Sequence, residues 1–158
     1  MDNQADAAAI FEFERDFAQS LRCVPMSVRL KLDVAGVKIS LKQWNRLTTE
    51  DRQQLLELPF EGPAERARFG ARVQEMVAAR SGEPAGALPV DPQPTWAQER
   101  VPAQILTHMQ TLRLAPLSQA QWQALSHVRR FALLKLSRPG HDNDNFVPAL
   151  REFGLLDA

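Results

Sequence analysis

Ser40 to Leu58 reads SLKQWNRLTTEDRQQLLEL, and Ser118 to Leu136 reads SQAQWQALSHVRRFALLKL. Laid over one another with a shift of 78 residues, eight of the nineteen columns are identical. They are Ser40/Ser118, Gln43/Gln121, Trp44/Trp122, Leu47/Leu125, Arg52/Arg130, Leu55/Leu133, Leu56/Leu134 and Leu58/Leu136. A Val-Pro pair lies upstream of each, Val24-Pro25 and Val101-Pro102, so a single gap keeps the two in register. Recurrence over a span of this size predicts two related helical halves. Its shared residues are those that cap and pack a helix. The recurrence therefore predicts architecture and names no chemistry.

Working outward, Ser40 is a good N-cap for a helix through Trp44 and Leu47. Thr48-Thr49-Glu50-Asp51 offers a second cap, so the helix is expected to break and restart there. Pro25 opens an earlier helix whose Val24, Val28 and Leu32 share a face and whose stop is Gly36. Before it, Ile10, Phe13, Phe17 and Leu21 fall at helical spacing, while residues 1–9 are expected to fray. Pro63 opens a helix with Phe69, Val73, Met76 and Val77 inward and Ser81-Gly82 at its end. Residues 81–94 hold Pro84, Pro89, Pro92 and Pro94 and read as an extended linker. Thr95 with Gln98 forms a potential capping box. Pro102 opens a helix with Ile105, Leu106, Met109 and Leu112 inward, and Pro116 breaks it. Ser118 caps the next, a helix expected to carry Trp122, Leu125, Leu133 and Leu136. Asn145 is placed to cap a last short helix that Gly154 stops. No stretch reads as a sustained strand. The fold class is all-α: six to eight short helices within a single domain 1–158, with lobes 10–80 and 95–158 around the linker 81–94.

Length and composition set further bounds. A chain of 158 residues buries enough surface to fold without staples. Nineteen basic and nineteen acidic residues cancel, which argues against a dedicated nucleic-acid binder. A lone cysteine, Cys23, excludes an intrachain disulfide and suits a reducing compartment. The N-terminus lacks a basic segment followed by an apolar run, so no secretory signal is read there, and no run reaches membrane-spanning length. The expected location is the cytoplasm.

Five features carry chemistry. Trp44 and Trp122 suit partner anchors, but a tryptophan at one place in both lobes more simply plugs each core. Arg52 and Arg130 suit an oxyanion, or structural pairing, with Asp33 or Glu57 available to Arg52. Residues 22–46 carry Arg22, Arg29, Lys31, Lys38, Lys42 and Arg46 against Asp33 alone. That basic face would steer an acidic partner or a phosphate. It lacks interleaved aromatics that stack bases. Cys23, beside Arg22, is either a reactive thiol or a small buried apolar group. Finally, Arg138-Pro139-Gly140-His141-Asp142-Asn143-Asp144-Asn145-Phe146 is a compact polar loop. It lacks the sixth-position glycine and closing glutamate of a calcium loop, and reads otherwise as a self-capping Asx turn. Glycine-rich phosphate loops, a GxSxG elbow, HExxH and zinc-spaced Cys/His sets are all missing from the sequence. The expectation is therefore no enzyme, no metal and no cofactor.

One resemblance goes further. FEFERDF at 11–17, LRCVPMSVRLKLD at 21–33, Gly36-Val37-Lys38 followed by Trp44, and RPGH at 138–141 with NFVPALREFGL at 145–155 are similar to the nitrate reductase associated protein family. The resemblance implies a partner needed for nitrate reductase activity, as small subunit or maturation factor, rather than a catalyst. One cysteine could not hold the reductase's own kind of iron–sulfur cluster. The partner-binding residues expected on this reading are Arg22, Arg29, Lys31, Lys38, Arg138, His141, Asp142, Asn143, Asp144 and Asn145. The alternative is a small regulatory nucleic-acid binder using the basic 22–46 face, which would show steep salt dependence.

Overall fold

The structure, a computed structural model, describes residues 3–15, 24–139 and 144–156. Among them are nine α-helices and a single two-stranded ladder, so the all-α reading holds. The helices are α1 (Asn3–Ala7), α2 (Met26–Ala35), α3 (Leu41–Arg46), α4 (Thr49–Glu57), α5 (Pro63–Ser81), α6 (Ala103–Thr111), α7 (Gln119–Ala124), α8 (His127–Leu136) and α9 (Phe146–Glu152). The chain divides into two compact units, 4–92 and 93–158, the latter taking in residues 1–3.

In the 4–92 unit, Pro25 is the N-cap of α2, and Gly36 ends it with φ +72°. Only a residue without Cβ adopts that left-handed turn cheaply. A Cβ there would also meet Val90 Cγ2 at 2.9 Å. The chain then runs into β1 (Val37–Lys38), which pairs antiparallel with β2 (Gly86–Ala87). Leu88 N donates to Gly36 O at 2.9 Å, and Gln43 Nε2 to Pro84 O at 3.2 Å. The middle of the proline-rich segment is thus tied to this unit. The break after Trp44 falls where the two caps place it: Leu47 is extended, with ψ 146°, and Thr48 caps α4. Pro63 opens the 19-residue α5. Val28, Leu32, Trp44, Leu55, Phe69, Val73 and Val77 belong to one buried cluster.

In the 93–158 unit, α8 packs with the short 3-10 turn Thr95–Ala97, with α6 and with α9. Trp122, Ile105, Leu133, Phe146 and Leu150 are fully buried. The single helix expected from Ser118 through Leu136 is corrected: Leu125 is extended, with ψ 145°, and Ser126 caps α8, so the break-and-restart seen after Trp44 occurs again after Trp122.

Five other local expectations are corrected. Leu112, expected inward, follows the end of α6 as its C-cap and is 40% exposed. Residues 3–7 form a helix instead of fraying, with Asp6 and Ala7 buried. Residues 12–14 are a 3-10 turn, held by Glu14 Oε2 accepting from Phe11 N, whereas Phe17 and Leu21 of the expected face lie outside the described residues. Thr95 makes no capping box, because its neighbour Pro94 takes the cap position of that turn. Asn145 occupies the cap of α9 with φ −92° and ψ −2°, a helical backbone that leaves its side chain no cap hydrogen bond.

Candidate functional site

Helix α3 is six residues long and is held by a reciprocal cap. Ser40 Oγ accepts from Gln43 N at 3.0 Å, while Gln43 Oε1 accepts from Ser40 N at 2.9 Å. Two orphan amides are satisfied this way. Trp44 turns inward and is 1% exposed. Lys42 and Arg46, four residues apart, occupy the opposite, exposed face. Together with Ser40, Gln43, Ser81 and Glu83 they line a hollow of about 400 Å³. Lys38 is exposed at the end of β1, and Leu41 beside Lys42 is 52% exposed.

Each neutral side chain of this hollow makes a hydrogen bond within the chain. Ser40 and Gln43 hold each other, Gln43 Nε2 reaches Pro84 O, and Ser81 Oγ donates to Val77 O at 2.6 Å. None of the ion pairs found among the described residues involves Lys38, Lys42 or Arg46. The charged donors open to an incoming group in the hollow are Lys42 and Arg46, against the single carboxylate of Glu83. A second hollow, about 310 Å³, lies among Thr95, Gln98, Arg100, Pro102 and Gln104. There the Gln104 amide already donates to Leu134 O at 2.7 Å and Ser137 Oγ at 2.9 Å.

The other residues expected at a site have different positions. Arg22, Cys23, His141, Asp142 and Asn143 lie outside the described residues. Arg29 is half-buried and turns its Nε onto Val24 O at 2.9 Å. Arg138 and Asp144 are exposed, and Asn145 is half-buried. Lys31 is a correction: it is fully buried and takes no part in a surface. Its Nζ donates to Leu55 O at 3.0 Å and Leu56 O at 2.6 Å. Those carbonyls end α4, where a cation offsets the helix dipole. Burial pulls the ammonium down from its ordinary value of 10.5 to about 8. Helical spacing already put Val24, Val28 and Leu32 on the buried face, and Lys31 stands three residues after Val28. That spacing was the available signal.

The recurring tryptophans and arginines are structural. Arg52 is buried, stacks 5.2 Å from the Trp44 ring centroid, and donates to Trp44 O through Nε at 3.3 Å and Nη2 at 3.0 Å. Arg130 stacks 5.3 Å from the Trp122 centroid and donates to three carbonyls. They are Trp122 O at 3.1 Å, Trp96 O at 3.2 Å and Gln123 O at 3.1 Å. Arg52 hydrogen-bonds to neither Asp33 nor Glu57, the partners its sequence suggested, but to the carbonyl where α3 ends. Burial lowers both guanidinium groups from the usual arginine range. Asp51 caps α4 with Thr48 and receives Arg80 Nε at 2.9 Å, which holds its carboxyl below the usual range.

Among the described residues no three His, Cys, Asp or Glu side chains are grouped to hold a metal ion, and no helix is long and apolar enough to cross a membrane. No curated protein and no solved structure matches the chain. A family model does, over residues 10–153 of the 158. That span covers α2 to α9, the basic hollow and both tryptophan–arginine pairs. The chain belongs to the conserved nitrate reductase-associated protein family.

Proposed function

We propose that the protein is a non-catalytic accessory partner of assimilatory nitrate reductase, binding the enzyme as a small subunit or maturation factor and supporting its activity from the cytoplasm. Membership of a family described as nitrate reductase-associated carries this reading. The exposed cations Lys38, Lys42 and Arg46, together with Arg138 and Asp144 in the other unit, supply surface for a protein contact. The buried cationic groups of both units are turned onto backbone carbonyls, an arrangement that builds a scaffold.

Affinity capture tests this. Tagged protein expressed in its own host under nitrate is expected to retain nitrate reductase polypeptide through washing, in proportion to bait. Capture of no reductase at any growth stage would contradict the proposal.

A further inference from the structure

The basic ledge of the 4–92 unit differs from the same stretch in the 93–158 unit in one informative way. Under the shift of 78 residues, Lys42 falls on Ala120 and Arg46 on Ala124, and all four are exposed. Leu41 falls on Gln119 and Lys38 on Pro116. Yet α7 has the same length as α3, the same Ser–Gln capping box and the same extended exit. The cap, the helix and its buried tryptophan thus form without either cation. Lys42 and Arg46 are surplus to the fold, and together they cost mutual repulsion at i, i+4 spacing.

The ledge also has the chemistry of a specific receptor. The charged donors of the hollow are Lys42 and Arg46, and no ion pair among the described residues engages either. In the hollow two cations, Lys42 and Arg46, accompany one carboxylate, Glu83, and Lys38 is a further exposed cation on β1, a balance that favours negative charge. Leu41, half out of water beside them, rewards a neighbouring apolar contact.

From these observations we infer that Lys38, Lys42, Arg46 and Leu41 form a docking ledge for an acidic segment of the nitrate reductase polypeptide, with a carboxylate seated in the hollow between Lys42 and Arg46. This rests on the accessory role proposed above. A protein segment is favoured over nucleic acid because an apolar side chain stands within the charges and no aromatic is exposed among them to stack a base.

Zero-length carbodiimide coupling tests it, because the reagent condenses a lysine amine with a carboxylate, forming an amide as the carboxylate oxygen leaves in the urea. The chain has four lysines. Lys31 is buried and Lys135 lies over the Phe131 ring in the other unit, so the ledge is read through Lys38 and Lys42. With purified full-length chain and nitrate reductase, amides are expected from Lys42 or Lys38 to Asp or Glu of the reductase. K42E/R46E is expected to weaken binding roughly tenfold or more and to flatten its salt dependence. K42A/R46A, which copies the residues of α7, should keep the wild-type melting curve and still weaken binding. Coupling through Lys135 alone, with both variants binding as wild type does, would overturn the ledge and leave the accessory role standing. Retention that nuclease abolishes would likewise overturn it. Failure of the wild-type chain to bind reductase at all would remove both readings.

Discussion

Arg52 and Arg130 hold equivalent positions, but with different amounts of help. Each stacks on a buried tryptophan and hydrogen-bonds to the carbonyl that ends the preceding helix. In the 93–158 unit the turn Thr95–Ala97 and the residue after it complete the arrangement. Trp96 O receives Arg130, and Gln98 O receives the Trp122 indole at 2.9 Å. In the 4–92 unit Arg52 is left with one carbonyl, and the buried Trp44 Nε1 has no acceptor. One anchor is fully satisfied and the other is not. A buried donor without a partner costs about 1–3 kcal/mol, so the two pairs contribute unequally although their sequences match.

The largest expected effect comes from removing the better-connected arginine. Arg130→Ala strips three carbonyls of their donor and is expected to lower stability by about 3–5 kcal/mol, against about 2–3 kcal/mol for Arg52→Ala. Urea unfolding of both variants decides it, and equal losses would break the distinction. Next, Trp122→Phe should cost about 1–3 kcal/mol more than Trp44→Phe. Both lose ring volume, but only Trp122 surrenders a hydrogen bond.

The units also differ in how they end their second helix. Lys31 caps Leu55 O and Leu56 O of α4, whereas the neutral amide of Gln104 caps Leu134 O of α8. Only the first choice titrates. The folded value of Lys31, about 8, lies below its ordinary value of 10.5, so above pH 8 the unfolded chain binds more protons. Stability should therefore rise with pH through that window, and Lys31→Met should flatten the slope. A wild-type slope that falls there, or one unchanged in the variant, would contradict the assignment.

The smallest effect concerns the two N-caps. Asp51 completes the Thr48 box, while Arg129 stands at that place after Ser126. Its depressed carboxyl adds stability above the ordinary aspartate range that is lost as pH falls through the folded value. Asp51→Asn should cost about 1 kcal/mol at neutral pH and less in acid.

The Ser40, Thr48 and Ser118 caps, the break after Trp44 and the burial of both tryptophans were legible in the sequence because each rests on a side chain with a strong local preference; the break after Trp122 was not, since Ser126-His127 is a weaker restart signal than Thr48-Thr49-Glu50-Asp51. The partners of Lys31, Arg52 and Arg130 were not. All accept through backbone carbonyls, which every residue possesses, so composition and spacing carry no mark of them. Charge alone points Arg52 at Asp33 or Glu57, whereas its acceptor is Trp44 O. Charge counted along the chain places Lys31 on the basic surface, but the helical face decides which cations reach water, and Lys31 lies on the buried one. The ledge was half legible: the excess of cations in 22–46 was plain, but only the structure separates Lys38, Lys42 and Arg46 from the buried Lys31 and the inward-bonded Arg29.

The most direct test is nitrate reductase activity in a strain deleted for this chain and complemented in three ways. Wild type and A120E/A124E, altered at the matching exposed positions of α7, should restore activity. K42E/R46E, at matched protein level, should restore little. Full reductase activity in the uncomplemented deletion strain would contradict the accessory role itself.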